Sequence, residues 1–145
     1  MFKFEKLVFG DLGWGDEFLF ATLMTITVSI LSMGLGLCLA IVTVWAKLIT
    51  NKITRLIANF YTTIVRGVPE LLVIYLIFFG GNTVVMSIAK LFGYHGYIEL
   101  NALTIGTIAI AFISATYSSE VLRAAYLAVN KGQIEAAKAL GLNKF

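Results

Sequence analysis

The longest uncharged stretch of the sequence, FLFATLMTITVSILSMGLGLCLAIVTVWA, occupies residues 18–46. A helix of this length rises about 43 Å at 1.5 Å per residue, and roughly 20 helical residues suffice to cross a bilayer core. Within it, Ser32, Gly36 and Ala40 recur every four residues, which places small side chains on one helix face and favours close packing against another helix. The stretch therefore predicts a membrane-spanning helix.

The composition supports the same class of protein. Hydrophobic residues make up 59% of the 145-residue chain and charged residues 13%, whereas a soluble domain carries about 25% charged residues. The net charge of +3 is not concentrated in a basic run, which argues against nucleic acid as a partner. Cys38 is the single cysteine and is interpreted as an apolar packing residue.

Two more uncharged stretches follow, at residues 71–89 and 100–119. They predict a second span at about 67–83 and a third at about 100–122. Because Gly80-Gly81-Asn82 interrupts the second stretch, we expect an external loop after it, with a short amphipathic helix at 84–92.

The segment Arg66-Gly67-Val68-Pro69-Glu70 contains the only proline of the chain. Proline lacks a backbone donor and disfavours helix at the preceding residue. We therefore predict a structural break at the second span, formed by Arg66, Gly67 and Pro69. Arg66 and Glu70 are interpreted either as a latch at the foot of this span or as ordinary interfacial anchors.

The distribution of basic residues predicts the topology. The segment between the first two spans carries four basic residues and no acid: Lys47, Lys52, Arg55 and Arg66. Such segments are cytoplasmic, so residues 1–17 are expected in the periplasm. The third span then returns the chain to the cytoplasm, where three lysines follow: Lys131, Lys138 and Lys144. Within the first basic segment, residues 56–65 are interpreted as an interfacial helix or as the foot of the next span.

Residues suited to catalysis or metal binding are scarce. No nucleophile–base set, phosphate-binding glycine loop or metal-ligand spacing is found, and His95 stands apart from other potential ligands. We therefore expect no enzyme, and no catalytic, cofactor or metal site. Glu120 and Arg123 lie three residues apart directly after an apolar stretch, so they share a helix face and can pair. They indicate either a solute pathway or gate, or charges at the cytoplasmic interface.

The tail contains good helix formers at residues 134–140, preceded by Gly132 and followed by Gly141. A glycine directly after a helix is typical of a C-terminal cap. We predict a short cytoplasmic helix at 133–141, able to dock on another protein.

Three segments of the sequence resemble motifs of one protein family and occur in the same order along the chain. Gly132-Gln133-x-Glu135-Ala136-Ala137-x-Ala139-Leu140-Gly141 resembles the EAA loop of ABC-importer membrane subunits. The segment from Arg66 to Leu72, followed by IYLIFFG at 74–80, resembles the RGTPLL…FG signature of the polar amino-acid permeases. Residues 114–132 resemble the stretch that leads into the EAA loop.

Thr22-Leu23, near the start of the first span, also fits the family, so the resemblance covers roughly residues 18–145 and implies a fold and a function. The fold would be an all-α membrane protein, the N-terminal three-span part of a type I ABC-importer transmembrane domain. The function would be that of a permease subunit that translocates polar amino acids or related solutes across a bacterial inner membrane. Cytoplasmic ATP-binding subunits would use the ATP, so the chain itself would need no cofactor. A second permease subunit and a periplasmic solute-binding protein would complete the importer.

Within that resemblance, Glu135, Ala136, Ala137 and Gly141 carry the ATPase-coupling role. The Ile-x-Leu-Pro element that follows the EAA motif is absent, because the sequence stops at Phe145. Members of the family usually have five or more spans, so we expect a truncated form. Two alternatives are a non-transporting membrane protein or permease remnant and, with less support, a membrane enzyme subunit.

Overall fold

The computed structural model describes residues 13–94, 96 and 101–142. This part of the chain forms five helices and no strand: α1 (Gly15–Leu48), α2 (Lys52–Gly67), α3 (Glu70–Leu91), α4 (Ala102–Ala128) and α5 (Lys131–Ala139). The predicted all-α class is confirmed. Most of the N-terminal segment predicted at 1–17, and His95, lie outside the described residues.

Three of the described helices are long and apolar enough to cross a membrane, namely α1, α3 and α4. Helix α3 continues unbroken through Gly80 and Gly81 to Leu91, so the separate helix predicted at 84–92 is wrong. Glycine is tolerated in an apolar helix whose backbone groups must pair with one another in lipid. A Cβ added at Gly81 would lie 3.6 Å from the Ile105 side chain, so α3 packs closely on α4 there.

Helix α1 packs against α4 through one stripe of buried residues. The stripe comprises Ser32, Gly36, Ala40, Thr43 and Lys47. A Cβ added at Gly36 would lie 3.2 Å from both the Ala111 carbonyl oxygen and the Ser114 Cβ. A side chain at position 36 would therefore be crowded by α4, and the small face predicted at Ser32, Gly36 and Ala40 is the packing face.

The two packed helices run in the same direction. Gly36 of α1 adjoins Ala111 and Ser114 of α4, and Lys47 adjoins Glu120 further along both helices. Parallel helices in a membrane require the chain to cross back between them, and α3 is the candidate span that does so. The arrangement agrees with three alternating spans, with the end of α1 and the start of α3 at the same membrane surface.

The chain changes direction between α2 and α3. Helix α2 ends at Gly67, Val68 adopts an extended conformation, and Pro69 is the N-cap of α3. A small apolar cluster of Val65, Val73 and Ile113 packs α2, α3 and α4 together beside this break.

Candidate functional site

Lys47 lies in the last turn of α1 and connects three helices. It is 4% exposed. Its Nζ donates hydrogen bonds to Glu120 Oε1 of α4, at 2.5 Å, and to Thr62 Oγ1 of α2, at 2.7 Å. A buried ammonium group is costly unless it is paired and hydrogen-bonded, and both conditions are met here. We call Lys47, Thr62, Glu120 and Arg66 the polar junction.

Arg66 completes the polar junction from the end of α2. Its Nη1 lies 3.9 Å from Glu120 Oε1, and its guanidinium carbon lies 5.6 Å from the centre of the Tyr117 ring. Tyr117 also interacts with the carboxylate of Glu70, in the first turn of α3. Arg66 thus contacts α4 through Glu120 and the Tyr117 ring, and Glu70 interacts with Tyr117 electrostatically.

A cleft of about 360 Å³ adjoins the polar junction. Hydroxyl, aromatic and charged side chains line it, together with a glycine: Thr62, Thr63, Arg66, Gly67, Tyr117 and Glu120. The side chain of Lys47 is buried behind this surface, whereas that of Glu120 is 32% exposed.

The structure corrects the predicted pairing of Glu120 with Arg123. The ion pairs that Glu120 forms with described residues are to Lys47 and Arg66, and Arg123 Nε is buried without a hydrogen-bond partner. Glu120 faces the junction of α1 and α2 and forms its ion pairs there, while Arg123 interacts with it electrostatically without forming an ion pair. Because Lys47 belongs to the last turn of α1, Glu120 lies level with a helix end.

From the sequence, Lys47 enters only the topology prediction, Tyr117 enters only as part of the stretch at 114–132 that resembles the family, and Thr62 is not named. One signal was present for Lys47, because it continues the stripe of Ser32, Gly36, Ala40 and Thr43 at helical spacing. That spacing places its side chain on the face that packs against α4. Nothing comparable marks Thr62 or Tyr117, since their partners come from other helices.

Helix α5 carries the predicted coupling residues and lies apart from this packing. None of its residues is buried, and Glu135 and Ala136 are exposed. The Asn130 side chain caps its start by accepting from the Gly132 amide at 3.0 Å. At its end, Gly141 has a φ of 76° and the Leu142 amide donates to the Ala137 carbonyl at 3.0 Å, as in a Schellman cap. Helix α5 is thus capped at both ends, and Glu135 and Ala136 of its motif are exposed.

Comparison with known proteins identifies the family. Residues 32–145, which are most of the chain, match the model of the "Binding-protein-dependent transport system inner membrane component" family. The chain belongs to this family. The nopaline transport system permease protein NocQ of Agrobacterium fabrum is 48% identical over 94% of the chain. The histidine/lysine/arginine/ornithine transport system permease protein HisQ of Escherichia coli is 34% identical over 91% of it.

A solved structure shares the fold. The chain matches the crystal structure of an amino acid ABC transporter with histidines, with a TM-score of 0.63 and 30% identity over 83% of this chain. The chain spans 58% of the length of the NocQ and HisQ relatives and 51% of the solved chain. The resemblance to amino-acid permeases, inferred from the three motifs, is confirmed, as is the assignment to a multi-pass inner-membrane component.

Proposed function

We propose that this chain acts as a permease subunit of an ATP-driven importer for polar amino acids. The names of its relatives support this substrate class, since they include nopaline, octopine and histidine/lysine/arginine/ornithine permeases. The structural observation that carries the proposal is the exposed, doubly capped α5. It displays Glu135 and Ala136 on a helix that none of the described spans covers.

In this proposal, α5 receives the movement of a cytoplasmic ATP-binding subunit. Helix α4 connects to α5 through Val129 and Asn130, and α4 is joined to α1 and α2 by the polar junction. A displacement of α5 would therefore be passed along α4 to helices that are held together at the same membrane surface. The ATP is hydrolysed by the partner subunits, and this chain contributes no cofactor site.

The remaining partners follow from the orientation that we propose. With α1 entering from the periplasm, α2 and α5 both lie on the cytoplasmic side, where their lysines and arginines agree with the positive-inside rule. The solute-binding protein would then deliver its cargo at the opposite ends of the spans. A second permease subunit would pack on apolar faces of the spans that this chain leaves exposed.

Co-purification tests the coupling role of α5. The full chain, carrying an affinity tag at its N-terminus, is expressed with the ATP-binding subunit of its own transport system and captured in mild detergent. Ala136→Trp and Glu135→Ala are each expected to reduce the captured ATPase at least fivefold. Ala102→Trp adds the same bulk at an exposed position at the far end of α4 and is expected to leave capture unchanged. Full capture by both α5 variants would refute the coupling role.

Cysteine labelling tests the orientation. In a Cys38→Ser background, Trp14→Cys and Lys52→Cys each place one thiol at an exposed position near one end of α1. A membrane-impermeant maleimide added to spheroplasts is expected to label position 14 directly and position 52 only after the membrane is permeabilised. Direct labelling at position 52 would reverse the proposed topology.

A further inference from the structure

Helix α2 has three distinct faces. Ala58, Thr62 and Val65 are buried against the bundle. A second face carries a stripe of large apolar side chains that are 45–69% exposed: Ile53, Ile57, Phe60 and Ile64. Their spacing of four, three and four residues keeps them on one side of the helix. The third face carries the exposed Lys52 and Arg55.

The charges on α2 have one sign. No acidic residue occurs between positions 52 and 67. Arg66 is engaged with Glu120 and Tyr117, whereas neither Lys52 nor Arg55 has an ion-pair partner among the described residues. A surface that combines free cations with an exposed apolar stripe is complementary to an anionic headgroup layer above acyl chains.

The position of α2 in the chain also favours contact with the headgroup layer. Three residues separate its start from the end of α1, and two separate its end from the start of α3. Both ends thus adjoin the membrane surface at which α1 ends. At 16 residues, α2 is about 24 Å long, and it is not among the helices that are long and apolar enough to cross. Trp45, in the last turn of α1, is 65% exposed at the same level, where tryptophan is enriched at membrane interfaces.

We infer that α2 is an interfacial helix that binds acidic phospholipids, with Lys52 and Arg55 contacting the headgroups and the apolar stripe inserted among the acyl chains. By the proposed topology this is the cytoplasmic leaflet. The lipid contact itself depends on the composition and placement of α2 and not on the proposed transport role. Attraction between basic side chains and an anionic surface grows with the number of basic residues and weakens with salt.

Tryptophan quenching measures the lipid preference. A Trp14→Phe variant of the full chain, in which Trp45 is the remaining tryptophan, is reconstituted in phosphatidylcholine vesicles with increasing brominated phosphatidylglycerol. We expect Trp45 to be quenched more by this lipid than by brominated phosphatidylcholine. In Lys52→Gln/Arg55→Gln, the preference should fall at least fivefold, the change that corresponds to about 1 kcal/mol. The charge-conserving Lys52→Arg/Arg55→Lys should retain it, and 0.5 M salt (roughly a 4 Å screening length) should reduce it.

Site-specific labels test the insertion. In a Cys38→Ser background, an environment-sensitive fluorophore is attached to Phe60→Cys or to its neighbour Asn59→Cys, both on exposed positions of α2. The label at position 60 should be quenched by doxyl groups on the acyl chains, and the label at 59 by aqueous iodide. Equal iodide quenching of both labels would overturn the inference. So would protection of position 60 from both quenchers, as if a second protein covered it, or an unchanged lipid preference in the charge-neutralised variant. The vesicles contain no ATP-binding subunit, so these results are independent of the co-purification experiment.

Discussion

Lys47 Nζ of α1 donates a 2.5 Å hydrogen bond to Glu120 Oε1 of α4, although the two residues are 73 positions apart in sequence. Its second bond, to Thr62, brings α2 into the same contact. Because the side chain of Lys47 is only 1% exposed, its charge depends on these partners and not on water. The pair therefore holds α1 and α4 together, with α2 beside them, at the level where α1 ends.

Replacement of Lys47 by methionine should destabilise the bundle. Methionine keeps much of the side-chain volume but leaves the Glu120 carboxylate without its closest cation and Thr62 without its donor. The cost of leaving such groups unpaired is about 1–3 kcal/mol, in the lower part of that range because Glu120 is partly exposed and retains Arg66 nearby. The destabilisation should appear as a lower midpoint of thermal unfolding for Lys47→Met than for the unchanged chain, measured in detergent.

The double variant Lys47→Met/Glu120→Gln provides the control for that prediction. Removing both charges leaves no uncompensated carboxylate, so part of the lost stability should return. A loss in the double variant equal to the sum of the losses in Lys47→Met and Glu120→Gln alone would show that Lys47 and Glu120 are not energetically coupled.

Gly36→Leu should separate α1 from α4. The new side chain would begin 3.2 Å from the Ala111 carbonyl oxygen and the Ser114 Cβ, and backbone atoms cannot rotate away. We expect the free energy of unfolding to fall by about 2–3 kcal/mol, which is the upper end of the range for overpacked sites. Gly34→Leu is the matched control, since no atom lies within 4 Å of a Cβ there and the gain in helix propensity is the same. Similar melting temperatures for the two variants would contradict the close approach at Gly36.

Much of the helical framework was predictable because lipid imposes a simple requirement. Residues 18–46 lack charges, and a backbone in hydrocarbon must satisfy its own hydrogen bonds, so α1 at Gly15–Leu48 follows almost directly. The loop predicted at Gly80 and Gly81 is wrong for the same reason. Paired glycines favour a loop in water, whereas the apolar residues around them keep the segment helical to Leu91.

The polar junction was less accessible to sequence reasoning. Glu120 was paired with Arg123 because local spacing reveals neighbours on the same helix. Its actual partners, Lys47 and Arg66, come from other helices and become neighbours only once α1 and α4 pack in parallel. The small stripe on α1 predicted a packing face, but nothing in it identified α4 as the helix that it meets.

Tyr61→Phe should weaken the contact between α2 and α4 to a smaller extent. The hydroxyl of Tyr61 donates a 2.6 Å hydrogen bond to the Phe112 carbonyl, and the two rings lie 4.7 Å apart. Phenylalanine retains the ring contact and loses the hydrogen bond, which costs about 1 kcal/mol. The difference should appear as a small drop in the unfolding midpoint. Tyr126→Phe removes a hydroxyl from an exposed ring on α4 and should show no drop. An equal effect of both variants would argue against a stabilising role for the Tyr61 hydroxyl.

Gly141→Ala should loosen the end of α5, the helix proposed to bind an ATP-binding subunit. Gly141 has a φ of 76°, and a residue with a Cβ is destabilised by about 1–2 kcal/mol in that left-handed conformation. The strain opposes the cap in which the Leu142 amide donates to Ala137, so the last turn should fray. Hydrogen exchange of the α5 amides in the full chain measures this directly, and exchange in the last turn should accelerate about tenfold. Gly132→Ala is the matched control, because its φ is not positive and a Cβ there meets only the Asn130 side chain at 3.5 Å. In Gly132→Ala, the α5 amides should remain as protected from exchange as in the unchanged chain, or become more protected. If exchange in Gly141→Ala is unchanged, the cap does not stabilise the end of α5.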